Sequence, residues 1–245
     1  MEFTTEQKKA FYEDGYVIFK GAVPDVMVKQ ARKAIHIHMK DNVLAQGQNP
    51  GLSDHPDITD LYNKTPIAPH SETLVGPGNL APTRSAAIKL NFPREEENWT
   101  VRGHLDIGNK LRQEGQVSRA LNQLIVVLLQ DVPVPFMGNF TFWPGSHRAF
   151  EKAFQADPNY VETTKKNRQI PDIDLPHEGV QLTGKAGDVI ICHHQMYHTA
   201  APNNSADIRY AVIFRPKHVK SNENSTDAMA DIWMEFDGVK EVCAV

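Results

Sequence analysis

Gly187-Asp188-Val189-Ile190-Ile191-Cys192, followed by His198 and then by Arg209-Tyr210-Ala211-Val212-Ile213-Phe214, is the stretch that decides the architecture. A tight Gly-Asp turn feeds an apolar strand, a histidine follows, and a β-branched and aromatic run returns. Such a return brings Arg209 back toward His198. Working outward, residues 86–91, 121–129, 139–143 and 180–182 are further short β-like runs divided by Gly/Pro-rich turns. That texture predicts a sandwich or barrel.

The N-terminal part reads differently. Thr4-Thr5-Glu6-Gln7 resembles a capping box before a helix that Gly15 stops, and Tyr16-Val17-Ile18-Phe19 is a compact strand. Pro24-Asp25 then opens a second helix with Val28, Ala31, Ile35 and Met39 at helical spacing. Prolines and glycines between 47 and 82 predict a loop, either a lid or a surface excursion. Residues 151–178 read as polar and loop-rich. There is no internal repeat and no sign of a second domain. The expected layout is one domain over 1–245: N-terminal helices and strand at 1–45, a loop or lid at 46–84, a β core at 85–216 and a tail at 217–245.

Composition narrows the partners. The chain has 245 residues, 23% of them charged, and a formal net charge of -4 with no long Lys/Arg run. This argues against a nucleic-acid footprint or an electrostatic membrane anchor and favours a small-molecule substrate. No stretch approaches the roughly 18 apolar residues of a membrane span. The start is not a signal peptide, and Val242-Cys243-Ala244-Val245 is no peroxisomal address, so a cytoplasmic location is expected. Cys192 and Cys243 are too few for a disulfide framework.

The chemistry gathers at Gly103-His104-Leu105-Asp106. Two ligands one residue apart on a strand share a face, so an imidazole and a carboxylate converge. A distant histidine would complete the two-His-one-carboxylate triad that leaves positions open on non-haem iron(II). His198 is the leading candidate, with His193 and His194 as competitors. Arg209 suits a fixed carboxylate through its planar fork, such as one on a co-substrate, or is a buried structural ion-pair partner. His36, His38 and His147 read as structural.

His104-Leu105-Asp106, Phe142-Trp143-Pro144-Gly145-Ser146-His147 and Gly187-Asp188 followed by His198 and Arg209 together resemble the phytanoyl-CoA dioxygenase family. Tyr12-Glu13-Asp14-Gly15-Tyr16-Val17-Ile18 resembles that family's helix-to-strand opening. The resemblance implies a mainly β fold with flanking helices on one side, a double-stranded β-helix or jelly roll. It implies iron(II), 2-oxoglutarate and dioxygen, with His104, Asp106 and His198 as metal ligands. His198 alone has the family's eleven-residue step to the arginine, and Arg209 would pair with the distal carboxylate of 2-oxoglutarate.

Lys89 is a further co-substrate candidate. Position 200 is Ala where family members often carry a hydroxyl residue, so Thr141, Gln123 and Tyr210 are candidates for that hydrogen bond. Residues 107–120 match nothing at residue level. The implied activity is oxidation, in the first instance hydroxylation, of a small organic metabolite with release of succinate and CO2. Asp106 argues against halogenation, since related halogenases have a small residue there. Arg94, Arg102, Lys110 and Arg112 would suit an anionic substrate, whereas no cationic cluster answers a CoA. Two other classes stay open: a cupin-type metal enzyme that needs no 2-oxoglutarate, and a non-catalytic metal-binding sensor.

Overall fold

The computed structural model describes residues 3–41, 51–94, 102–106, 120–156, 173–224 and 226–243. Helix α1 (Thr5–Asp14) begins at the expected capping box: the Thr4 hydroxyl accepts from the Gln7 amide at 3.2 Å, and the Gln7 side chain accepts from the Thr4 amide at 2.9 Å. Gly15 closes the helix at φ 81°, a left-handed conformation that favours glycine. The chain continues through β1 (Tyr16–Phe19) and α2 (Asp25–Asp41), which buries Val28, Ala31 and Ile35.

Two short helices follow, α3 (Pro56–Asn63) and α4 (Ile67–Val75). They correct the reading of 46–84 as loop or lid over its described part, because Ile58, Leu61, Ile67, Leu74 and Val75 are fully buried. The prolines misled for a local reason. Pro56 and Pro69 stand in first turns, where a missing N–H costs no helical hydrogen bond.

The strands are β2 (Ala87–Asn91), β3 (Gln123–Leu128), β4 (Phe140–Phe142), β5 (Val180–Gln181), β6 (Val189–His193), β7 (His198–Ala200) and β8 (Arg209–Phe214). They form a five-stranded sheet in the order β1-β6-β3-β8-β2 and a three-stranded sheet in the order β5-β4-β7, antiparallel at every pairing. Between β4 and β5 lies α5 (Ser146–Ala156), which buries Phe150 and Phe154 one turn apart and carries helix past the expected loop boundary at 151.

Strand alternation sorts the large sheet into two faces. Leu124, Val126, Leu128, Ile190, Cys192, Ala211 and Ile213 turn inward to Phe140 and Phe142 of the small sheet. Ile125, Val127, Val189, Ile191, Val212 and Phe214 pack instead on α1 to α4. The result is a jelly roll with helices laid on one side, as the family resemblance implies. None of the described helices is long and apolar enough to cross a membrane.

The segment after β8 is no tail. A 3₁₀ turn (Asp227–Met229) and α6 (Asp237–Lys240) carry Ile232, Trp233, Phe236 and Val239 into the helix-side core. Gly238 lies so close to α4 that a Cβ would stand 1.9 Å from the Thr73 carbonyl oxygen. The polar sequence of 217–231 hid this, because only the last turns bring aromatics.

His147 occupies the seam between α1 and this segment, fully buried, with its Nε2–H donating to the Tyr12 carbonyl at 3.1 Å. Burial pushes its imidazole down to about 3, against the Tyr12 hydrogen bond. The folded chain therefore holds it neutral while the unfolded chain protonates it near its ordinary value of 6.5. Stability is full above that value and falls with pH between about 6.5 and 3, by at most ~1.4 kcal/mol per pH unit. Denaturant unfolding from pH 7 to pH 5 should show a shallower loss for His147→Gln than for wild type. Equal slopes would remove His147 from the acid response.

Candidate metal centre

Gly103 permits the approach on which the site depends. Its N–H donates to the Tyr197 hydroxyl at 2.8 Å, and a Cβ there would meet both the His198 carbonyl oxygen and the Tyr197 ring at 2.9 Å. His104 and His198 can then exchange both backbone hydrogen bonds, at 2.8 and 3.1 Å. This is an isolated bridge rather than the full strand expected at 103–106, yet the alternation is the expected one. Leu105 turns away to join Phe150, Phe154 and Met229. His104 and Asp106 face the other way, with the His104 and His198 ring centroids 4.3 Å apart.

One ligand atom from each of His104, Asp106 and His198 lies within 4.8 Å of the others, and no other such group occurs among the described residues. Their protonation suits a cation. His198 Nδ1 stands 3.0 Å from the Met196 carbonyl, which can only accept, so Nδ1 carries the proton and the Nε2 lone pair is free. Burial first, then the neighbouring His104, pushes His198 down to about 4 against the pull of Asp106, so it is neutral at pH 7. Burial alone would raise the Asp106 carboxyl. The hydrogen bond to His104 and the guanidinium of Arg215 outweigh it and hold the group well below the usual carboxylate range.

Three cations share the inner face with this triad. Arg209 and Arg215 bracket Ala211 and Ile213 on the inward side of β8 and just beyond it, and Lys89 stands opposite Ala211 on β2. Arg209 is 5% exposed; its Nε–H donates to the Gly138 carbonyl at 2.6 Å and its Nη1 to the Lys89 carbonyl at 3.4 Å. Burial pushes it down to about 10, so it stays charged, and no carboxylate of a described residue pairs with it. The ammonium of Lys89 is lowered by burial and then by Arg215, with Asp106 opposing and Arg209 adding to the shift.

Other expected residues stand elsewhere. Gln123 faces the helices, not the site. Its Oε1 accepts from the Ser71 hydroxyl at 2.5 Å and its Nε2 donates to the Ser71 carbonyl at 2.9 Å, tying α4 to the sheet. Thr141 lies opposite Thr199 on the face of the small sheet turned away from Phe140, Phe142 and His198, beside Gly179. Tyr210 also points to the helices, with its hydroxyl 3.2 Å from His36 and Arg32 over its ring.

His193 and His194 are spent on the C-terminal segment, each 3.1 Å from a carbonyl, of Ile232 and Ala228 respectively. Arg94 and Arg102 are exposed, while Lys110 and Arg112 lie outside the described residues. Sequence reasoning missed Arg215, whose Nε–H donates to Asp106 Oδ2 at 2.7 Å. Its place six residues after Arg209, on the same strand face, was a signal available in the sequence.

Comparison with known proteins agrees with this architecture. Residues 126–211, from within β3 to within β8, match the model of the phytanoyl-CoA dioxygenase (PhyH) family. No curated protein matches the sequence. Among solved structures, HygX from Streptomyces hygroscopicus with nickel and 2-oxoglutarate bound superposes with a TM-score of 0.62 at 13% identity, covering 89% of this chain and 88% of that one. EctD from S. alaskensis with 2-oxoglutarate and 5-hydroxyectoine gives 0.59 at 16% identity, covering 89% and 77%. The non-heme alpha ketoglutarate dependent carbocyclase SnoK from nogalamycin biosynthesis gives 0.55 at 18%, covering 90% and 88%. At these identities the superpositions speak for the fold. Over residues 126–211, and in the order of its motifs, the chain is similar to the phytanoyl-CoA dioxygenase family.

Proposed function

We propose that this chain is an iron(II)- and 2-oxoglutarate-dependent dioxygenase that oxidises a small organic metabolite, by hydroxylation in the first instance, with release of succinate and CO2. The observation that carries the reading is a juxtaposition. A neutral imidazole with a free Nε2, a second imidazole and an ionised carboxylate converge, and the same inner face carries a buried guanidinium that no described carboxylate neutralises. The donor set fits iron(II), because two imidazoles and one carboxylate leave coordination positions open. The unmatched guanidinium fits an incoming carboxylate.

His104, Asp106 and His198 would hold the metal. Arg209 would take the distal carboxylate of 2-oxoglutarate, with Lys89 as a second cationic contact. When bound, iron(II) with 2-oxoglutarate and dioxygen supplies a two-electron oxidation of a substrate carbon coupled to decarboxylation of the keto acid. The chain contributes orientation and exclusion of water, through the apolar wall of Phe140, Phe142, Ile190 and Cys192. A carboxylate at 106 favours oxygen insertion over halogenation. HygX and EctD, which share the fold, have been crystallised with 2-oxoglutarate, HygX also with hygromycin B and EctD with 5-hydroxyectoine, which supports a small-molecule substrate here.

Succinate release tests the proposal. Protein loaded with iron(II) and screened against small metabolites in air should form succinate only when 2-oxoglutarate is present, and dioxygen should be consumed with it. Metabolite turnover that continues without 2-oxoglutarate would replace this reading with a cupin-type metal enzyme. Tight metal binding with no turnover would replace it with a sensor.

A further inference from the structure

We propose that Arg215 is a positioning residue that keeps Asp106 a one-oxygen ligand and so preserves the coordination positions a bidentate co-substrate needs; the inference rests on the iron and 2-oxoglutarate reading above. The two oxygens of Asp106 are already divided. Oδ2 accepts from Arg215 Nε–H at 2.7 Å, whereas Oδ1 lies 3.5 Å from His104 Nε2, on the side of the triad. Arg215 follows the last residue of β8 and points inward like Arg209. The next residue, Pro216, accepts from the Asn122 amide at 2.8 Å, which anchors the backbone on the far side.

Coordination arithmetic gives this hydrogen bond a function. A six-coordinate ion held by two imidazoles and one carboxylate oxygen keeps three positions: two for a chelating keto acid and one for dioxygen. A carboxylate free to rotate beside a divalent cation can offer both oxygens, which would leave only two. Engaging Oδ2 with a charged donor opposes that second bond. Arg215 and Asp106 are both partly withdrawn from water, at 32% and 17% side-chain exposure, so solvent does not readily replace the donor.

Electrostatics separates this role from simple support of the fold. A guanidinium near the metal repels it, so removing the charge does not by itself weaken metal binding. Arg215→Met should therefore bind Co(II) within a few-fold of wild type or more tightly. Its ligand-field absorption should change in position and intensity, because a second carboxylate oxygen replaces a water in the cobalt coordination sphere. Its anaerobic 2-oxoglutarate affinity in the iron(II) form should drop on the order of ten-fold or more, the size typical of losing a partner of a ligand. Arg215→Lys, which restores one charged donor, should recover part of both.

A wild-type cobalt spectrum and wild-type 2-oxoglutarate affinity in Arg215→Met would overturn the proposal. So would parallel loss of metal and 2-oxoglutarate together with a lowered Tm, which is what structural damage produces. The cobalt spectra test Arg215 even if wild-type protein binds no 2-oxoglutarate. In that event the co-substrate reading fails while the hold of Arg215 on Asp106 is judged separately.

Discussion

Replacing His198 with alanine should abolish 2-oxoglutarate turnover and weaken metal binding by more than the roughly 10–100-fold that losing a hydrogen-bond partner of a ligand costs. The reason is geometric. His198 is the member of the triad brought in from the far strand, its Nδ1–H fixed on the Met196 carbonyl and its ring against Phe140. No neighbouring imidazole can replace it, because His193 and His194 point into the helix-side core. His193→Ala provides the contrast. That side chain sits among Phe11, Trp233 and Phe236, so its loss should lower stability by ~2 kcal/mol or more and leave the metal affinity of the folded protein unchanged. Metal titration and thermal unfolding of both variants read the two effects apart. Weak metal binding in His193→Ala with normal binding in His198→Ala would reverse the assignment.

Arg209→Met should separate co-substrate from metal. Loss of a buried cation that faces a ligand carboxylate costs roughly 2–5 kcal/mol, so 2-oxoglutarate affinity should fall on the order of 100-fold or more. Metal affinity should stay within a few-fold, since Arg209 bonds Gly138 and Lys89 carbonyls and none of the triad. The apo-protein should fold normally. A buried guanidinium that no carboxylate of a described residue pairs with contributes little net stability, and an apolar chain of similar length removes a desolvated charge. Calorimetry with 2-oxoglutarate and Ni(II) gives both affinities. An unchanged 2-oxoglutarate affinity would return Arg209 to a structural role.

The convergence of His104 and Asp106 could be read from the sequence because its signals are local, whereas His198 stands out from His193 and His194 only by the eleven-residue step to Arg209 that the family resemblance supplies. His104 and Asp106 share a face by strand alternation, and Gly103 marks the close approach to β7. The turn at Gly187-Asp188 sets off the strand that leads to His198. The second tier was harder to see. Gln123 lies in a run buried on both faces, where hydrophobicity gives no sign of which side is inward, so its polar end was assigned to the wrong layer. Thr141 failed for a related reason, since three residues of strand carry too little alternation to orient.

The two helices after residue 55 and the C-terminal packing were hidden by composition. Prolines at helix starts look like breaks, and a polar stretch that ends in Trp233 and Phe236 looks like a tail until the aromatics dock. Arg215 escaped notice because its partner, Asp106, is 109 residues away in sequence. Strand parity pointed to the correct side of the sheet but could not name what waits there.

The central claim is that this site binds iron(II) and 2-oxoglutarate together, and it is tested most directly by adding iron(II) and then 2-oxoglutarate to the apo-protein without oxygen. Wild type should develop the visible metal-to-ligand charge-transfer band of the chelate, saturating at one equivalent, and Asp106→Ala and Arg209→Met should show it weakened. Iron shown to be bound with no band on adding 2-oxoglutarate would contradict the account.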